Sequence, residues 1–254
     1  MSVTTPLRLL WRDGAALPSP RAVSRDADGA QLLAELYAPP EDRPWVRAMM
    51  NTTVDGAIAG ADATSASLRN DDDAFVFGVL RALCDVVVVG AATVRAEDYR
   101  RPLGRRDLLE PSRRPTGAER PALAIWTRTG DLPESVEPDW PTHLLVPAGQ
   151  VETVCARTGF PQDHVHAADS PAEGIAVLIA LGFRAIQSEG GPGVLSQLAG
   201  ADLLDELCFS ITHRTVGGPS PRVLDGAAHQ LDWSLASLLV GPDATLTRYV
   251  RPPA

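Results

Sequence analysis

The sequence predicts an α/β protein on a mostly parallel, three-layered sheet with an antiparallel edge near its C-terminus. Three observations carry this. Short apolar runs alternate with amphipathic helical patterns from residue 44 onward. One run, VVVVG at residues 86–90, is apolar throughout, as a strand covered on both faces must be. The closing strand candidates, near residues 206–212 and 244–250, have no helical pattern between them and can pair antiparallel.

Residues 1–43, rich in Pro, Ala and Arg, read as an N-terminal extension packed on a main domain of residues 44–254. The extension holds one short helical pattern, Ala30 to Tyr37, stopped by Pro39-Pro40. WVRAMMNTTVDG then reads as a strand running into a turn at Asp55-Gly56. NDDDAFVFGVLRAL reads as a helix capped by Asn70 or Asp71, with Phe75, Val76, Val79, Leu80 and Leu83 on one face. Its acids, Asp71 to Asp73, also suit a metal site, but three adjacent acids point in different directions, which favours a helix start. Residues 100–120 are basic and Pro-rich and read as an exposed loop. PALAIWT, THLLVP, HVHA and RAIQSE are further strand candidates. Helical patterns at 149–158 and 171–181 separate several of them, and another helix should begin near Pro192.

Composition narrows the function. A chain of 254 residues that is 44% apolar suffices for one sizeable α/β domain. Its net charge of −9 argues against a nucleic-acid or anionic-membrane partner, so an anionic ligand would need a local pocket. No apolar run approaches the ~20 residues that span a bilayer. The N-terminal stretch lacks an apolar signal core, so the expected compartment is the cytoplasm. Cys84, Cys155 and Cys208 are too few and too widely spaced for a disulfide framework, and read as reduced thiols. His164 and His166 alone do not complete a metal site, and no metal is expected.

In open α/β sheets, ligands bind beyond the carboxyl ends of the strands. TTVDG, GAATVRAED, TRTG and EGGPGVLSQL all follow strand candidates and should meet on one edge. EGGPG opens a helix directly after a strand, where glycines admit a ligand to the backbone and free N–H groups attract phosphate. Arg95 and Arg128 add cations there; Thr93, Thr127 and Thr129 add hydroxyls. The GxGxxG and GxxxxGK[ST] patterns are absent. The residues alone point to a nucleotide-type ligand and no further.

The motifs carry a resemblance. VVVVGAATVRAEDY is similar to the VLVGxxTVRxDxP segment of riboflavin-pathway reductases. IQSEGGPGVLSQLAGADLLDELCFSIT resembles their WVEGGPTLxxxLLxxxLVDEL segment, and NTTVDGAIA their SLDGxIA turn. Together they cover about residues 44–250. The chain thus resembles the reductase half of the bacterial deaminase–reductase, in the dihydrofolate reductase-like superfamily. The leading TPLRLL and closing TRYV look like a stand-alone actinobacterial branch. The HxE and PCxxC motifs of the zinc deaminase half are not found.

The resemblance implies a three-layer dihydrofolate reductase-like fold, a homodimer, and NADPH as cofactor. The implied reaction is hydride transfer to a 5-amino-6-(5-phosphoribosylamino)uracil-type pyrimidine. Gly90 would let the chain turn under the cofactor. Thr93, Val94 and Arg95 would line its pocket, with Glu97 or Asp98 close by. Thr127 and Arg128 would lie near the adenosine ribose, with Arg128 meeting the 2′-phosphate. Gly190, Gly191, Val194 and Leu195 would carry the pyrophosphate. Thr52 and Thr53 would sit between nicotinamide and substrate. Glu189 is the substrate-side and catalytic acid, and Asp55 the second acid, unless it only braces its turn.

Met49 stands where those reductases often carry a lysine for the substrate's phosphate, although Arg47 is nearby. This opens an alternative, a reductase of dihydrofolate or another pteridine. An alternative of another class is a nucleotide-binding regulatory protein without turnover.

Overall fold

The structure is a computed structural model that describes residues 5–62, 64–108, 113–136 and 140–252. Eleven strands form one sheet among the described residues, in the order β2-β1-β10-β11-β9-β3-β8-β4-β5-β6-β7. The parallel part runs from β9 to β7 and comprises β9 (Glu206–Thr212), β3 (Trp45–Thr53), β8 (Ala185–Ser188), β4 (Val86–Gly90), β5 (Ala122–Trp126), β6 (Thr142–Val146) and β7 (Val165–Ala167). β11 (Ala244–Val250), β10 (Ser234–Val240), β1 (Leu7–Arg12) and β2 (Ala15–Val23) extend it antiparallel. The expected fold class holds, and β4 is central, between β8 and β5.

Its valines alternate as a doubly covered strand requires. Val86 and Val88 pack beneath α5 (Pro171–Ala180) and α6 (Pro192–Gly200). Val87 and Val89 pack on the other face, with Val154 of α4 (Val151–Thr158) and Val94 of α3 (Ala91–Ala96). Farther along that face, α1 (Ala27–Leu36) and α2 (Asp71–Leu83) bury Leu33, Val76, Val79 and Leu80 against the antiparallel strands.

The three acids of α2 have three different roles. Asn70 caps the helix by accepting from the Asp73 N–H at 2.9 Å. Asp71 is exposed. The Asp72 side chain is fully buried; it pairs with Arg25 and accepts from the Asp243 N–H at 2.8 Å, tying the helix to the β10–β11 turn. The side chain of Asp73 lines a cleft.

Several expectations change. The N-terminal extension carries two strands ahead of its expected helix. β1 and β2 form a hairpin whose two-residue turn, Asp13-Gly14, has both residues at positive φ. Pro18 and Pro20 are tolerated because β2 is the sheet's outer edge and pairs on one side only. β10 was not expected as a strand; two small serines and a register shift between Leu235 and Ser237 blur its pattern. The segment 100–120 is not wholly exposed. Leu108 lies in the core, and Arg114 is buried, donating to the carbonyls of Ala82 and Arg81 at the end of α2. Residues 109–112 of that segment lie outside the described ones. His164 belongs to a 3₁₀ turn before β7 and stacks on His143. Cys84 and Cys208 are buried free thiols, as expected.

Candidate active site

The carboxyl ends of β4 and β8 are stitched together by two hydrogen bonds. The Gly90 N–H donates to the Gly190 carbonyl at 3.1 Å, and the Gly191 N–H donates to Thr93 Oγ1 at 2.8 Å. The glycines are needed for space. A Cβ on Gly191 would lie 2.6 Å from Thr93 Oγ1. Gly190 adopts φ +101°, a conformation that side chains disfavour. After this junction α3 and α6 both begin with no side-chain cap. Their first turns border a cleft of about 870 Å³ lined by Gly90, Thr93, Arg95, Thr127, Arg128, Gly191 and Val194.

The expected cofactor residues divide. Those seven meet in this cleft. Arg128 is exposed, with no hydrogen bond or ion pair among the described residues, whereas Arg95 donates to the Asp131 carbonyl at 2.6 Å. Thr127 accepts from the Gly130 N–H and so fixes its own turn. Val94 and Leu195 have no exposed surface and pack in the core, so their side chains can only support the site. Gly190 shapes the junction from behind. Glu97 lies in an adjoining cleft of about 590 Å³ and accepts from the Ser65 N–H. Thr52 and Asp55 line a separate, more apolar cleft beside Phe209 and Tyr249. Asp55 accepts from the Thr53 hydroxyl and the Gly217 N–H, which hold its carboxyl below the usual range. It braces the loop after β9. Thr53 is buried, and its hydroxyl accepts from the Ala57 N–H.

Glu189 stands where the adjoining cleft meets a third one of about 450 Å³. Its carboxylate is already occupied. Arg81 donates Nε to Oε1 at 2.8 Å and Nη2 to Oε2 at 2.6 Å. Gln187 donates to Oε1 at 2.8 Å, and the Tyr99 hydroxyl donates to Oε2. The Glu189 side chain is 2% exposed. Burial and the neighbouring Glu189 charge push the Tyr99 phenol well above its ordinary range, so it keeps its proton.

The third cleft holds residues that sequence reasoning missed. Asp73, Phe77 and Arg81 recur every four residues on α2 and all line it, opposite Met49 and Asn51 of β3. Arg81 lies over the Phe77 ring at 4.2 Å. Oδ1 of Asp73 is buried and unpartnered. Burial raises its carboxyl above the ordinary range; the nearby Ser210 hydroxyl and then Arg69 oppose the rise, and Glu189 adds to it. The acid–aromatic–arginine spacing was the available signal, hidden by reading the acids only as a helix start. Arg47 is not at this site. It is buried, donating to Glu206 at 2.8 Å and to the Tyr37 carbonyl, and cannot meet a ligand.

Among the described residues, no group of three or more His, Cys, Asp or Glu side chains could hold a metal. No helix among them is long and apolar enough to cross a membrane.

The profile of the RibD C-terminal domain family matches residues 44–246. Among solved structures, a pyrimidine reductase-like protein of Corynebacterium diphtheriae aligns with a TM-score of 0.75 and 20% identity, over 89% of this chain and 99% of that one. The deaminase/5-amino-6-(5-phosphoribosylamino)uracil reductase of Thermotoga maritima aligns at 0.62 and 20% identity, over 84% of this chain and 58% of that one. The riboflavin biosynthesis reductase Rib7 of Saccharomyces cerevisiae aligns at 0.58 and 15% identity, over 88% and 99%. At these identities the likeness establishes the fold alone, the mostly parallel α/β sheet with an antiparallel edge expected from the sequence. No curated protein sequence shows a significant match.

Proposed function

The chain belongs to the RibD C-terminal domain family, and from that premise we propose that it is an NADPH-dependent reductase of a 5-amino-6-(5-phosphoribosylamino)uracil-type pyrimidine. One observation carries the reading. The stitched glycine turns leave two uncapped helix starts open to a long cleft, which adjoins a second cleft at Glu189. A dinucleotide and a small heterocycle fit such a pair of spaces.

NADPH fits the residues present. The N–H groups at the starts of α3 and α6 would hold its pyrophosphate, with Gly191 admitting close approach. Arg128, without a hydrogen bond or ion pair among the described residues, would meet the 2′-phosphate. When bound, the cofactor supplies the hydride. The protein's share is alignment and exclusion of water. Arg81, Tyr99 and Gln187 fix Glu189 at the junction, so it orders the site rather than reaching freely for substrate. Asp73 would accept N–H donors of the ring with its unpartnered Oδ1.

A second reading, reduction of a pteridine, is favoured by Met49, which gives the substrate-side cleft an apolar buried wall in place of a cation. The proposal also carries a cytoplasmic location and a homodimer. Phe209, Ile211 and Tyr249 lie half-buried on the part of the α5–α6 face that borders loop 214–233, and a second copy would cover them. Loss of nicotinamide absorbance, followed with the pyrimidine and with dihydrofolate in parallel, tests the reading. Turnover of the pyrimidine supports it, turnover of dihydrofolate alone moves the protein to the second reading, and no turnover with either sinks both.

A further inference from the structure

Four charged side chains line the cleft on the substrate side of Glu189: Arg69, Asp73, Arg81 and Glu189 itself. Arg81 and Glu189 spend their charges on each other. Two remain. Asp73 sits on α2 with Oδ1 buried and unpartnered. Arg69 follows the 3₁₀ turn Ala66–Leu68; it is exposed, and its guanidinium makes no hydrogen bond or ion pair among the described residues. Its charge is felt at Asp73, so the two share one electrostatic space.

The cleft is therefore polarised. Its negative end is a buried acid, and its positive end is a solvent-facing guanidinium. A complementary ligand has N–H donors on a ring at one end and an anion on a tail at the other. Met49 is apolar and buried, and Arg47 is consumed by Glu206, so neither can supply the cation.

We infer that Arg69 receives the anionic tail of the heterocyclic substrate, a phosphate monoester or a carboxylate. Its planar fork offers two parallel N–H donors that match either anion. The identity of the ring rests on the reductase reading; the assignment of the anion to Arg69 does not.

The test uses two pairs of compounds that differ only in the tail. One pair is 5-amino-6-(5-phosphoribosylamino)uracil and its dephosphorylated nucleoside; the other is dihydrofolate and its uncharged bis-amide. KM is read from NADPH oxidation, and binding to the NADP⁺-saturated protein by calorimetry. In the wild type, the anion-bearing member of one pair should bind about 10–100-fold more tightly than its partner, the range of one or two charged hydrogen bonds. Which pair does so separates phosphate from carboxylate. Arg69→Gln should erase that preference, with the loss in KM rather than kcat, and Arg69→Lys should restore part of it. The assignment is overturned if the wild type shows no preference, if Arg69→Gln keeps it, or if both members of the pair weaken equally. A preference erased in Arg69→Gln without any NADPH oxidation would keep the assignment and end the reductase reading.

Discussion

Arg81 and Glu189, 108 residues apart, form a two-point ion pair at the meeting of two clefts, with N···O distances of 2.8 and 2.6 Å. The pair joins the last turn of α2 to the end of β8. It thereby fixes the substrate-side wall relative to the glycine junction that follows Glu189 directly in the chain.

Glu189→Gln should therefore damage both stability and turnover. It leaves a largely buried guanidinium without its counter-charge, which costs about 3–5 kcal/mol in comparable sites. Tyr99→Phe removes one hydrogen bond to the same carboxylate and should cost about 1–2 kcal/mol. Urea unfolding of both variants, beside steady-state rates, measures the difference. Equal stability in all three proteins would show that the clamp holds nothing in place.

Arg128→Ala should lower the preference for NADPH over NADH by about 10–100-fold, the value of one or two charged hydrogen bonds to a phosphate. The constants for NADH should stay near wild type, because that cofactor lacks the 2′-phosphate. The ratio of kcat/KM values for the two cofactors is the readout. An unchanged ratio would remove Arg128 from the cofactor site.

Asp73→Asn should raise stability near neutral pH while weakening substrate use. Burial first, then Glu189, lifts this carboxyl above its unfolded value, with the Ser210 hydroxyl and Arg69 opposing. A group raised in this way contributes stability below its unfolded pKa and loses it as pH rises through the folded one. At neutral pH the charged form is thus a penalty that the amide removes. The same carboxylate is the acceptor for ring donors, so kcat/KM should fall as pH drops through its raised pKa. That acid limb should vanish in Asp73→Asn. Thermal unfolding and a pH–rate profile check both halves, and a variant that is less stable yet fully active contradicts both.

The parts of this molecule legible in its sequence are those where one local rule decides. The valine run of β4 and the Asn70-capped helix are such parts, as is the glycine turn at residues 190–191. The hairpin of β1 and β2 was equally signalled, by Asp13-Gly14, but Pro18 and Pro20 argued against a strand. Only the sheet order shows that they occupy an edge. The site is harder to read, because its electrostatics depend on pairings across the fold. Nothing near Glu189 in sequence announces Arg81, and nothing near Arg47 announces that Glu206 will take its charge. Asp73 looked like its two neighbours; its distinct role follows from the direction its position takes off α2.

The last prediction concerns acid stability, where an imidazole cluster and a buried carboxylate act in separable pH windows. His143 Nδ1 lies 3.1 Å from His166 Nε2, and its ring stacks on His164 and meets Phe183 edge-on. Burial, then the two other imidazoles, lowers His143 from 6.5 to about 4, although Asp163 opposes the shift. The folded protein thus keeps this ring neutral while the unfolded chain protonates it near 6.5. Below that pH the unfolded state binds more protons, so stability falls from about 6.5 to about 4 and then levels. Glu206 acts lower. Burial would raise it, but Arg47 and Arg248 outweigh that and hold it down to about 2 from 4.5, so its contribution is lost as pH falls from 4.5 toward 2. His143→Phe keeps an aromatic ring in the stack and removes its own share of the upper titration, while His166, lowered by burial and then by His164, keeps the rest. Its melting temperature should decline less between pH 6.5 and 4 than that of the wild type, while the steeper loss below pH 4 remains. Parallel declines over the upper window would show that the imidazole cluster does not set acid sensitivity there.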